Sequence, residues 1–166
     1  PLGFLEKKIV NSPAYIGAEL YLRKKKNWKY SADFLEHSLQ DNPSDLYYGN
    51  KSALAKKLKK SRKIRNKVKK FKKSNYLAKK YSISFKHGDM FGAFHNVDLY
   101  IDRFKKGKIN CVLKDYYDFS YEKYNSFINI ANNYEWVCQA FKISNGYHIT
   151  VEMKFKDRKN KNKDLI

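Results

Sequence analysis

Four histidines, one short carboxylate and tyrosine segment and a long run of lysines are the residues of this chain best suited to chemistry. Cutting RNA without a metal needs a base for the 2′-hydroxyl, an acid for the leaving oxygen and cations for the charge that builds on phosphorus. His87, His95 and His148 are the residues suited to proton transfer near neutral pH, and Tyr117 and the lysines could fill the remaining roles. His148 alternates with apolar neighbours and shares a strand face with Thr150, Glu152 and Lys154, the wall of a wet cleft. His87 lies beside Lys86 and Asp89 in a turn. His95 falls by alternation on the face of Val97 and Leu99, where a hydrogen-bonded core imidazole is as good a reading as a catalytic one. His37, between Glu36 and Ser38, reads as a solvated helix residue.

The segment Lys114-Asp115-Tyr116-Tyr117-Asp118-Phe119 closes an expected strand with two carboxylates and a phenol. Asp115 and Asp118 would hold a divalent cation or a proton, since two nearby carboxylates cannot both carry charge cheaply. The competing reading is that Asp118 only caps the next turn or helix. No H-x-x-x-H, H-N-H, paired CxxC or glycine-rich phosphate loop occurs, so zinc-hydrolase, HNH-nuclease and nucleotide-triphosphatase readings lack their usual support.

Between Lys51 and Lys80 there is no acidic residue. A helix opening at Ser52 would carry Leu54, Leu58, Ser61, Ile64, Val68 and Phe71 on one side. Lys56, Lys57, Lys60, Arg62, Lys63, Arg65, Lys67 and Lys70 surround that stripe and are the expected phosphate-binding residues. Lysine outnumbers arginine there, and its point charge suits phosphate or an anionic membrane surface better than base reading. The formal charge of +20 on 166 residues extends the same inference to the whole chain: it works against compactness unless a negative partner relieves it. The alternative is a lysine-rich surface reflecting AT-rich codon usage.

The groups must be positioned by a chain whose apolar fraction of 42% suffices for one folded basic domain over residues 1–156, with a polar tail from 157 to 166. The beginning at Pro1-Leu2-Gly3 reads as the boundary of a module within something larger. No run approaches the roughly 18 apolar residues of a membrane-crossing helix. Cys111 and Cys138 each sit in an apolar stretch and read as small buried hydrophobes. Trp28, Ala32, Leu35 and Leu39 recur at helical spacing, and Asp41-Asn42-Pro43 ends that helix. From Tyr81 the period becomes two. Tyr81 to Phe85, Val97 to Ile101 and Ile109 to Leu113 read as strands, the last two joined as a hairpin at Gly107. A further helix is expected from about Tyr121 to Phe141, then a final strand in which Tyr147, Ile149, Val151, Met153 and Phe155 alternate with polar residues. Helices first, then a mostly antiparallel sheet with one inserted helix, make the fold class α+β.

These residues carry two resemblances. Asp115-x-Tyr117-Asp118-Phe119 resembles the D-x-Y-D signature of colicin M-type bacteriocins, whose catalytic domain cleaves lipid II with the help of a divalent metal. Where that family continues with a His-Arg pair, this chain has Tyr124-Asn125. More broadly, Trp28 with Phe34 to Asp45, Ser52, Asn96 to Tyr100, Asp115 to Phe119 and Gly146 to Ile149 resemble C-terminal toxin modules of bacterial polymorphic toxins. That resemblance implies a secreted effector delivered into a competing cell, with an acidic cognate immunity protein. The expected activity is an RNase acting in the target cytoplasm. The alternatives are a lipid II hydrolase using Asp115, Tyr117 and Asp118 at the membrane from the periplasm, and a non-enzymatic binder of nucleic acid or anionic lipid.

Overall fold

A computed structural model describes residues 20–38, 40, 42–104, 107–117 and 146–157. The expected helix at Tyr121 to Phe141, Asp118, Cys138 and the tail beyond 157 lie outside the described residues. The order is a π-helical turn (Tyr21–Lys25), α1 (Lys29–Ser38), β1 (Leu46–Tyr48), α2 (Ala53–Lys60), α3 (Arg62–Lys73), β2 (Ala78–Ser84), α4 (Asp89–Phe94), β3 (Asn96–Phe104), β4 (Lys108–Tyr117) and β5 (Tyr147–Lys156). The fold is α+β, with helices and strands interleaved rather than segregated. A five-stranded sheet has the order β1-β5-β4-β3-β2, with β2, β3 and β4 antiparallel and β1 parallel to β5. The chain divides into two compact units, each assembled from separated segments: 1–44, 85–95 and 116–147 form one, 45–84, 96–115 and 148–166 the other.

The second unit contains most of the sheet and both basic helices. Alternation on its strands buries Tyr81, Ile83, Val97, Leu99, Ile101, Ile109, Cys111, Leu113, Ile149, Val151 and Met153. Leu54 and Leu58 of α2 and Ile64, Val68 and Phe71 of α3 are buried as their spacing predicts. The single expected helix is two, however, broken at Ser61, which is extended (φ −58°, ψ 127°). A continuous helix would carry Ile64 about 80° away from Leu54, so the break brings the second half of the stripe back into line. Ser61 closes α2 by donating its N–H to Leu58 O and opens α3 by accepting from the Arg65 N–H. Each large apolar side chain buried on this stripe contributes about 1.5–3 kcal/mol. Repulsion between lysines three or four apart costs only about 0.2–0.5 kcal/mol per pair, so the packed face decides that these helices form.

Arg103 of β3 fastens the end of α3. Its guanidinium donates to Ser74 O (2.8 Å), Tyr76 O (3.1 Å) and Phe71 O (3.3 Å), lies over the Phe71 ring and is paired with Asp157. Asp157, the first residue of the expected polar tail, is held in place. Its side chain is 3% exposed, and its N–H donates to Gly107 O (2.7 Å) in the β3–β4 turn.

The first unit is built on aromatic rings. Phe34 of α1 meets Phe94 at 5.5 Å and Tyr117 at 5.7 Å between centroids, and the Tyr147 hydroxyl donates to Phe34 O (2.9 Å). Between the strands read at Tyr81 to Phe85 and Val97 to Ile101, the segment Phe91-Gly92-Ala93 is helical, within α4. Asp89 explains why. Its buried carboxylate accepts the Ser31 N–H (2.8 Å), capping α1 from a distant part of the chain, while the Ser31 hydroxyl donates to Asp89 O (2.8 Å). Gly92 allows this approach, because a Cβ there would stand 2.6 Å from Ser31 Oγ.

Candidate nucleic-acid interface

The cations of α2 and α3 stand where their spacing predicted. Lys56, Lys57, Lys60, Arg62, Lys63, Arg65 and Lys70 are exposed and Lys67 is half-buried. Helix formation sets them around the buried stripe, so one surface of the second unit is cationic over two consecutive helices. Lys63 and Lys67, on one flank of α3, lean towards the edge strand β2: the Lys63 ammonium donates to Ser84 O, and the Lys67 ammonium lies 5.4 Å above the Tyr81 ring. Lys79 continues the series along β2, 4.0 Å from the centre of the Tyr76 ring. Among the described residues, none of Lys56, Lys60, Arg62, Arg65 and Lys70 is paired with a carboxylate, which leaves these charges available to phosphate. An extended, uncompensated lysine surface attracts a phosphate chain by releasing its condensed counterions.

The expected acid-base groups divide between the two units. His87, His95 and Tyr117 belong to the first, Asp115 and His148 to the second. His87 is exposed in the turn before α4. His95 does not share the strand face of Val97 and Leu99. It terminates α4 with positive φ (38°), its ring stands edge-on to Phe91 at 5.2 Å, and its carbonyl accepts the Phe85 N–H. Alternation does not reach His95 because β3 begins one residue later, at Asn96. Tyr117, 9% exposed, packs between Phe34 and Tyr147 in the aromatic core. Asp115 is half-buried, with Leu113 and Tyr117 at alternate positions of the same strand.

His148 is exposed at the start of β5, where its N–H donates to Asp45 Oδ1 (2.8 Å). Thr150, Glu152 and Lys154 alternate with buried residues as expected, and Glu152 accepts from the Tyr47 hydroxyl (3.0 Å). His37, read as solvated, is half-buried, with its ring edge-on to Tyr147 at 4.6 Å and Nε2 2.8 Å from Ser44 O. Among the described residues no three His, Cys, Asp or Glu side chains are grouped to hold a metal ion. The expected divalent site depends equally on Asp118. Burial, and after it the Asp102 carboxylate, pushes the Cys111 thiol up to about 12, which makes it an inert core residue.

Comparison with models of known protein families, with curated proteins and with solved structures found no match to this chain. Sequence reasoning missed one feature of the second unit: Tyr100, flanked across the sheet by Lys80 and Lys114. The signal is present only as strand register, which pairs Lys80 with Tyr100 and Asp98 with Lys114.

Proposed function

We propose that this chain is the toxic domain of an antibacterial effector that attacks a phosphodiester, with RNA as its substrate, and that α2 and α3 grip the phosphate chain. The observation that carries this reading is the acid-free cationic surface over Lys56, Lys57, Lys60, Arg62, Lys63, Arg65, Lys67 and Lys70. Its charge is far larger than solubility requires and is concentrated on one helical pair, which favours a polyanion over a diffuse solvent role. His87, His95 and His148 remain the candidates for proton transfer, with Asp115, Tyr117 and Asp118 as the alternative set. Delivery into a target cell and neutralisation by an acidic immunity protein go with this reading.

The test uses the purified chain with total and transfer RNA at micromolar concentration, with and without magnesium. Cleavage is expected, and so is salt-sensitive binding. Replacing Lys56, Lys60, Lys63 and Lys70 with Gln should reduce the slope of log affinity against log salt by roughly 0.7 for each phosphate no longer neutralised. The same change at Lys24 and Lys26, in the first unit, should leave it alone. RNA that stays intact while cells still die would remove the nuclease. Killing only after export to the periplasm would point instead to the lipid II hydrolase.

A further inference from the structure

An open hollow of about 400 Å³ lies over the paired strands β2 and β3, lined by Ala78, Lys79, Lys80, Tyr100, Ile101 and Asp102. Tyr100 is 38% exposed there, with the Lys80 and Lys114 ammonium groups 5.5 and 5.6 Å from its ring centre. The electrostatics differ from those of the helices. Lys80 is already paired with Asp98 at 2.7 Å, and Asp102 stands two residues from Tyr100 on the same strand face. Two ammonium groups set against two carboxylates leave little net charge to hold a phosphate. There remain an aromatic ring to stack on and, in Asp102, whose Oδ1 accepts from Asn110 Nδ2 at 3.4 Å, a carboxylate able to accept the amino and imino hydrogens of a base edge as well.

We infer that this hollow receives one unpaired base of a single-stranded RNA, stacked on Tyr100 while its flanking phosphates follow the lysines of α3 and β2. The inference rests on the polyanion reading above and adds a preference for single strands. The route is continuous: β2 is an edge strand, Lys67 and Lys79 lie on its helix side above Tyr81, and Lys80 turns to the opposite face beside Tyr100. A duplex keeps its bases stacked inside, so it engages the lysines and leaves Tyr100 unused. Lys80, 53% exposed on its side chain, can leave the ring as the base arrives.

The experiment measures fluorescence anisotropy of a labelled 2′-O-methyl single strand, which resists attack at the 2′-oxygen, and of the same sequence as a duplex. The whole chain should prefer the single strand by about tenfold, the usual scale of one base on an aromatic ring. Tyr100→Ala should abolish the preference without changing duplex affinity, and Tyr100→Phe, which keeps the ring and the packing, should retain it. A preference that survives Tyr100→Ala, or an equal loss on both probes, overturns the inference. The Lys-to-Gln variant at Lys56, Lys60, Lys63 and Lys70 should weaken both probes together. If it weakens neither, the polyanion reading fails, while the Tyr100 comparison is still read separately.

Discussion

The two units hold their helices by different physics. In the first, α1 and α4 meet through rings and a close backbone approach: Phe34 among Phe94, Tyr117 and Tyr147, Gly92 against Ser31, and a buried carboxylate serving as a remote cap. In the second, two helices burdened with lysines are held by a narrow apolar stripe and by one arginine that gathers the last carbonyls of α3. The difference shows what a densely charged surface demands of its scaffold. A helix that must present repelling charges cannot stabilise itself locally, so its anchoring has moved to its buried side and its C-terminal end.

The sharpest way to break this contrast is to remove that anchor. Arg103→Ala removes the guanidinium paired with Asp157, whose side chain is almost wholly buried, and should cost about 3–5 kcal/mol in urea denaturation. Arg103→Lys should recover little, since one ammonium cannot serve several carbonyls and a carboxylate together. In the first unit, Gly92→Ala forces a Cβ towards Ser31 Oγ and should cost about 1–3 kcal/mol by the same measurement. It should leave the salt dependence of RNA binding as it was, whereas Arg103→Ala should weaken binding as well. The smallest effect is expected at Ser52, whose hydroxyl accepts the Ala55 N–H at 3.1 Å. Ser52→Ala should cost about 1 kcal/mol and appear as reduced helicity in circular dichroism.

Much of the second unit was legible from periodicity. Leu54, Leu58, Ile64, Val68 and Phe71 declared a buried stripe, and the alternation from Tyr147 to Met153 declared the last strand, because both patterns are local. The same logic could not see the break at Ser61, since a serine within a lysine-rich helix carries no distinctive breaking signal. Nor could it see β1, three residues long and defined by pairing with Ile149 to Val151. α4 is not visible to local periodicity because it depends on Asp89 reaching Ser31 from 58 residues away. His95 moved off its expected face for the related reason that a helix ends there with positive φ. Of the candidate site, the cations could be read directly as composition on a helix. Tyr100 with its two lysines could not, because a cross-strand neighbour exists only once register is set.

The margins of the sheet carry a last consequence, for behaviour at high concentration. An open strand edge invites the same edge of another molecule, and runaway pairing of that kind ends in aggregates. Here one margin, β1, is only three residues long, and the other, β2, carries adjacent Lys79 and Lys80 and has its final carbonyl engaged by the Lys63 ammonium. Two copies brought edge to edge at β2 would confront like charges before any ladder could form. The lysines proposed to hold a nucleic acid thus also keep the chains apart while none is bound.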